Sequence, residues 1–339
     1  MRGYVARRVA LALGMLVAVS YVTFIVVATQ FSATCSSDYT PNSVFPPLAG
    51  SIGEATKLYG HWLRGIPSGE SFGNVCGAPV TQNLTQALGH TGALLAMTLV
   101  FVIVLSLLFG VLAAARAGTW LDLGFRAFSY TAWAIPPFLL ALVLQSVLLW
   151  LRREHGIAPF RESGWPGACA FGTYCFPPPV PIHGLAYAGE VLRFLVVPSL
   201  ALAIAFVGLH SRYLRSALLT ALAAPYATTA RAKGLGERRV VLRHALRNSL
   251  GTFTSVVLLD FGAVVGAALA VDWVFRMNGL GLLFLNEIGA LGSQSGDGPK
   301  FLDPYAVQAL LTVIAVLVAA ASLLAELAVL WLDPRTRPA

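Results

Sequence analysis

The sequence predicts an all-α polytopic membrane protein with six transmembrane helices and structured external loops, organised as one transmembrane domain over residues 1–339. Three observations carry that expectation. Hydrophobic residues make up 57% of the chain and charged residues 11%, against roughly a quarter charged in soluble domains. The mean hydropathy is +0.74. The apolar residues are also gathered into runs long enough to cross a bilayer core of about 30 Å, which takes roughly 20 helical residues because unpaired backbone groups are so costly in hydrocarbon. A secreted enzyme, a cytosolic domain and a disordered tail all lack this composition.

The first span covers residues 9–29. Arg2, Arg7 and Arg8 precede it, as they would in a cleaved signal peptide, but a run of 21 residues exceeds the usual stretch of about 7 to 15, so it reads as a retained helix. A first external loop follows over 30–90, and the second span, 91–115, carries no charge. The third, 127–151, is interrupted only by Pro136-Pro137, which remove two amide donors and kink the helix; this suits a cavity lining and equally suits plain packing. The second external loop, 152–190, is rich in proline and aromatic residues and reads as a stiff cap.

The fourth span, 191–210, carries Arg193 near one end, and a cytoplasmic loop occupies 211–249. The fifth span, 250–271, holds Asp260 at its middle, where an aspartate costs roughly 2.5 to 3.5 kcal/mol on insertion scales. Gly262 and Gly266 form a close-packing pattern on the opposite side of that helix, leaving Asp260 to face a partner helix, a watery path or its own proton. After a third external loop, 276–304, the sixth span covers 305–332; its Glu326 lies near enough to the end to anchor at the interface.

Fifteen lysines and arginines fall on the side of both termini and seven on the other, with Arg193 at the boundary. The positive-inside rule therefore places both termini in the cytoplasm of a multi-pass protein. The net charge of +8 is mostly topology, and a nucleic-acid partner is not implied. With this orientation Cys35 and Cys76 fall in the first external loop and Cys169 and Cys175 in the second. An even number on the oxidising side points to two disulfides, most simply Cys35 with Cys76 and Cys169 with Cys175 among three pairings, with four free thiols as the alternative. His155 and His183 lack ligand spacing to the cysteines, so no metal site is expected.

The loop 211–249 carries eight basic residues against one acidic, Glu237. Residues 214–224 continue as helix, Pro225 suits the first position of a second short helix, Gly234 and Gly236 end it, and helix restarts at Glu237. Arg239, Arg243 and Arg247 recur every four residues and so stack like charges on one face. Something anionic faces them, either membrane lipid headgroups or a docked protein.

Residues Thr229-Ala230-Arg231-Ala232-Lys233-Gly234-Leu235, followed by Glu237-Arg238-Arg239-Val240 and Arg243-His244-Ala245-Leu246-Arg247-Asn248, resemble the cytoplasmic loop of the oligopeptide, dipeptide and nickel permeases of bacterial ABC importers. The likeness is collinear along most of the chain. It includes Gly60-His61-Trp62-Leu63, Gly118-Thr119-Trp120-Leu121-Asp122, Ile135-Pro136-Pro137-Phe138, Asn278-Gly279-Leu280-Gly281 and Asp303-Pro304-Tyr305.

The resemblance implies a permease of type I ABC importer architecture in the bacterial plasma (inner) membrane. It would pair with a second homologous permease, receive cargo from an external substrate-binding protein, and be driven by two ABC ATPase subunits. Pro225 to Gly234 would be the coupling helix, with Pro225, Tyr226, Thr228, Thr229, Ala230, Arg231, Lys233, Gly234 and Leu235 forming the ATPase-coupling site. The chain departs from the family at Ala224-Pro225 and Thr228, where an acidic pair and an arginine are usual. It also lacks the proline-glycine-aspartate-proline motif after the first span.

No G-x-x-x-x-G-K-[ST] occurs, so no cofactor is expected on this chain and ATP with Mg belongs to the partner subunits. Asp260, Pro136 and Pro137 are the candidates for the translocation path. The rival reading is a proton-coupled secondary carrier using Asp260, although no inverted repeat is visible. A channel lacks a filter-like motif, and an enzyme lacks a nucleophile–base pair, His210 and His244 flanking the loop without ligand spacing.

Overall fold

The computed structural model describes residues 2–30, 48–68, 74–75, 78–167, 184–287 and 304–332. The chain is an all-α polytopic membrane protein. Four of its helices are long and apolar enough to cross a bilayer, and six spans result when each of two bent helix pairs counts as one. The four are α1 (Arg2–Gln30), α3 (Val80–Ala115), α6 (Leu185–Ala223) and α12 (Pro304–Leu332). The bent pairs are α4 (Trp120–Ala134) with α5 (Pro137–His155), and the helix from Glu237 running through α9 (Leu246–Leu259) with α10 (Phe261–Phe275).

Helix α6 is the axis of the bundle, and it can be approached closely because glycines stand at its crossings. A Cβ on Gly208 would lie 2.6 Å from the Ser129 carbonyl oxygen of α4, and one on Gly110 of α3 would lie 2.8 Å from Leu214 of α6. The close α4 crossing also brings the Ser129 and Ser211 hydroxyls to 3.1 Å. Around this axis Phe194, Leu202, Val265, Val271 and Phe275 are buried in one core, and Leu214, Leu218 and Phe253 in a second nearer the loop 211–249.

The loop 30–90 contains a helix among its described residues. α2 (Ile52–Gly65) starts at Ser51, whose hydroxyl accepts from the Glu54 amide, and it buries Tyr59 and Trp62 against Phe24 of α1. A two-residue hairpin of Asn74–Val75 with Ala78–Pro79 precedes α3, which begins well before the apolar run. All four cysteines, Cys35, Cys76, Cys169 and Cys175, lie outside the described residues.

The structure corrects three expectations. The third span is no kinked rod: α4 and α5 meet at 98°. The residue before a proline is driven out of the α region, so Ile135 (ψ 120) and Pro136 (ψ 133) are both extended and Pro137 opens a new helix. The fifth span is broken at Asp260, where α9 and α10 diverge by 47°. Only one of its two glycines abuts a neighbour, Gly262 against Val318, while Gly266 has open space beside it. Finally, the region expected as a third external loop begins with a helix, α11 (Leu280–Glu287), whose Leu280 and Leu283 are buried against Leu84 and Leu310.

Candidate functional site

The loop 211–249 is built around α7 (Pro225–Ala232). Ala224 precedes a proline and is extended (φ −71°, ψ 151°), which turns the chain out of α6, and Pro225 takes the first helical position, where its missing amide costs nothing. Ala227 and Ala230, three residues apart, lie on one face and are buried against Val240 with Leu222 and Leu235 beside them. Pro225, Tyr226, Thr228, Thr229, Arg231, Lys233 and Gly234 are exposed and Leu235 is half-buried. Two small inward residues let the helix lie flat, and its polar side is left for a partner.

The end of α7 is a Schellman motif. Gly234 has φ +77°, its amide donates to the Arg231 carbonyl at 2.9 Å, and the Leu235 amide donates to the Ala230 carbonyl at 3.3 Å. The accompanying apolar contact is Leu235 against Ala230.

Three of the expected coupling residues bond through their side chains within the chain, Thr229 only to the Pro225 carbonyl of its own helix. Arg231 donates from Nε to Glu237 Oε2 (3.0 Å) and from Nη2 to Oε1 (2.7 Å), while its Nη1 reaches the Leu222 carbonyl (3.1 Å). One guanidinium thus ties the end of α6, the coupling turn and α8 (Glu237–Arg239) together. The hydrogen bonds from Arg231 hold the Glu237 carboxyl below the ordinary carboxylate range, and Glu237 in turn raises Arg231. Tyr226 is held likewise, its hydroxyl accepting from Asn248 Nδ2 at 3.1 Å. Behind Tyr226 a cleft of about 420 Å³ opens between α6 and α9, lined in part by Tyr213, Thr220, Asn248 and Thr252.

After α8 the chain passes through a π turn, Val240–Ala245, before α9. Val240, Val241 and Ala245 face inward, whereas Arg239, Arg243 and Arg247 are exposed. The spacing of four therefore does deliver a basic outer face, and Glu237, Arg239, Leu242 and Arg243 line a shallow groove along it.

Above the loop, Asp122 is buried and gripped by Arg215 of α6, Nε to Oδ1 at 2.6 Å and Nη2 to Oδ2 at 2.7 Å. Its Oδ2 also accepts from the Gly118 amide at 3.1 Å. Sequence reasoning gave this pair no role. Spacing along the chain shows only that Asp122 falls in the first turn of α4, not that its partner stands 93 residues on.

Within the membrane, Asp260 is paired: its Oδ2 lies 3.0 Å from His210 Nε2 on α6, and the His210 ring stacks on Phe206. His210 was read only as a residue flanking the loop, because spacing along the chain cannot show a partner fifty positions away. Pro136 is exposed and Pro137 half-exposed at the α4–α5 corner. Nearer the other end, Asp272 is fully buried and accepts from the Gly279 and Leu282 amides, both at 3.0 Å. It thereby caps α11, beside Thr91 Oγ1, which takes the Leu280 amide at 2.9 Å.

Comparison with known proteins places this geometry. Residues 106–338 match the family described as binding-protein-dependent transport system inner membrane component. The chain is similar to the oligopeptide transport system permease protein AppB of Bacillus subtilis, 29% identical over 82% of this chain and 79% of that protein. It is similar also to the oligopeptide transport system permease protein OppB of Mycobacterium tuberculosis, 28% identical over 99% of both chains.

Proposed function

The chain belongs to the binding-protein-dependent transport system inner membrane components, the membrane permeases of ABC transporters, and from that premise we propose that it forms, with a second homologous permease, a path for peptides. ATP hydrolysis occurs on separate subunits in this family, so the chain is a non-catalytic permease subunit of an ABC importer. The peptide assignment draws on the oligopeptide transport named in its relatives. An external substrate-binding protein delivers the cargo, and two ABC ATPase subunits carrying ATP and Mg drive it. Both termini are cytoplasmic, in the bacterial inner membrane.

The observation that carries this reading is the mounting of α7. The helix is short, flat, and fixed by Arg231 and Tyr226 to both the outgoing α6 and the returning α9, while Thr228, Thr229 and Lys233 stay exposed. A push on that exposed face reaches α6 through Leu222 and the broken span through Glu237 and Asn248. Nucleotide-driven closure of the ATPases would rock these helices against the partner permease, giving alternating access. The basic face of Arg239, Arg243 and Arg247 complements membrane lipid headgroups or an acidic rim on the ATPase.

The test is peptide uptake in cells expressing the chain with its companion permease, ATPases and binding protein. Uptake is expected to require all four kinds of subunit and to vanish when the ATPase Walker lysines are substituted. Uptake by this chain alone, following a proton gradient, would instead establish the carrier that uses Asp260.

A further inference from the structure

Two hollows flank the hydrogen bond between Asn248 and Tyr226. One, of about 400 Å³, is lined by that pair with Arg243, His244 and Arg247. The other is the cleft of about 420 Å³ between α6 and α9, lined in part by the same pair with Tyr213, Ser216 and Thr252. Each falls within the roughly 300–1,000 Å³ of small-ligand sites. Asn248 and Tyr226 form the wall between them.

The two sides differ in chemistry. Among the described residues no acid lines the first, and Arg243 and Arg247 are exposed with neither a hydrogen bond nor an ion pair. Arg239 lines the groove beside Glu237 and Arg247 lines this hollow, while Arg243 borders both, so the basic face is divided between two surfaces. No charged residue lines the second side. There the Thr220 and Ser249 hydroxyls donate to the Ser216 and Ala245 carbonyls, whereas the hydroxyls of Tyr213, Ser216 and Thr252 have no partner among the described residues.

A ligand that suits both sides has an anionic head followed by uncharged donors and acceptors. Two guanidinium forks favour a carboxylate or a phosphate as the head. A phospholipid continues as an acyl chain, which would strip water from the hydroxyls and return no hydrogen bond. Inorganic phosphate fills the first hollow and leaves the second empty. A peptide carboxyl terminus brings the head and then an N–H and a C=O at each residue. The Asn248 carboxamide, at the crossing, has Oδ1 open to such an N–H, since only its Nδ2 is engaged within the described residues.

We infer that the two hollows form a product site for peptide. The terminal carboxylate sits on Arg243 and Arg247, and the last peptide bonds pair with Asn248 and the hydroxyls of Tyr213, Ser216 and Thr252. With α7 seated on the ATPases this is the side on which cargo emerges, so the inference rests on the peptide-importer reading. A peptide held there ties α6 to α9 beside α7, and accumulated cargo thereby slows further uptake.

The test uses the assembled transporter in proteoliposomes, with binding protein and a labelled transported peptide outside and ATP inside, where it powers only transporters whose ATPases face the lumen. The initial uptake rate is compared with the unlabelled peptide, its C-terminal amide or inorganic phosphate trapped in the lumen, each relative to vesicles holding none. Trapped peptide should slow uptake saturably, and the amide should need about tenfold more, the scale of one charge-assisted hydrogen bond. Arg247→Gln should bring peptide and amide to equal potency, a ratio that holds whatever the variant does to the rate itself. Tyr213→Phe should weaken inhibition by both alike. Uptake indifferent to trapped peptide, equal potency of peptide and amide in the parent, inhibition by phosphate to the same degree, or an Arg247→Gln protein that still favours the acid would each overturn the inference. Absence of ATP-dependent peptide uptake into vesicles holding none would overturn the importer reading itself, and the inference with it.

Discussion

His210 Nε2 lies 3.0 Å from Asp260 Oδ2, so the acid of the broken span is held by the central helix of its own subunit. The pair sits where α9 ends and α10 begins, and His210 Nδ1 has no partner of its own among the described residues. Removing the carboxylate therefore leaves an imidazole with nothing to bond on either nitrogen, at a cost of about 1–3 kcal/mol for a buried unsatisfied group.

Two substitutions separate architecture from proton transfer. Asp260→Asn keeps an oxygen acceptor for an Nε2–H donor, and ATP-dependent uptake and thermal stability in detergent should stay near the parent. Asp260→Ala should lower the apparent Tm and the amount of protein in the membrane. A carrier that moved protons through Asp260 would lose activity in both variants, and loss of uptake in a well-folded Asp260→Asn protein would revive that model.

The coupling turn yields a second prediction. Gly234 has φ +77°, a region that costs an L-residue roughly 1–2 kcal/mol, and its amide is used by the Arg231 carbonyl. Gly234→Ala should weaken ATP-dependent uptake modestly. Gly234→Pro loses both the conformation and the donor, and should abolish uptake while the subunit still reaches the membrane, since Gly234 itself is exposed. Full uptake with Gly234→Pro would remove α7 from the coupling route.

Arg231 and Glu237 make a prediction in pH. The folded carboxyl of Glu237 titrates below its unfolded counterpart because Arg231 donates to it. Its contribution is thus complete above the unfolded value of about 4.3 and disappears as pH falls through the lower folded value. Hydrogen-exchange protection of the 231–237 amides should persist at pH 5 and drop in more acid solution, and Glu237→Gln should show weaker protection with no such step. Both charges are exposed, so a change in the ATPase stimulation of the assembled transporter is the better functional readout than global stability.

The contrast between what sequence shows and what it hides follows from range. α7, its proline start and its glycine end were legible because each rests on local conformational rules acting over ten residues. The six apolar runs were legible for the same reason. The Asp122–Arg215 and His210–Asp260 pairs were not, since they join residues 93 and 50 positions apart, the first of them across an α4–α6 crossing that Gly208 allows to close up. Proline geometry explains the third span in part: a doublet reads as a kink, but two successive extended residues, Ile135 and Pro136, are what turn a kink into a corner. Arg231 carries the sharper lesson. In sequence it has only a place in the expected coupling site, and in the fold it pairs with Glu237 six residues on.

Glycine substitutions distinguish close packing from open space in the broken span and its return. A Cβ on Gly281 would lie 2.0 Å from the Leu269 carbonyl oxygen, and one on Gly279 would lie 2.7 Å from an Asp272 carboxylate oxygen. Neither contact involves a side chain that can swing away, because the first is backbone and the carboxylate is fixed by the Gly279 and Leu282 amides. Gly281→Ala must push α11 off α10, and overpacking of this kind typically costs about 1–3 kcal/mol. Gly266, which small-residue spacing alone placed in a helix contact, has nothing within 4 Å of a built Cβ. Gly266→Ala should accordingly leave detergent thermal stability unchanged or slightly raised, while Gly281→Ala should lower it and reduce membrane yield. Equal effects from the two would mean that Gly266 meets a surface outside this chain, such as the second permease, and the same assay repeated on the separated subunit and on the assembled transporter would locate that surface.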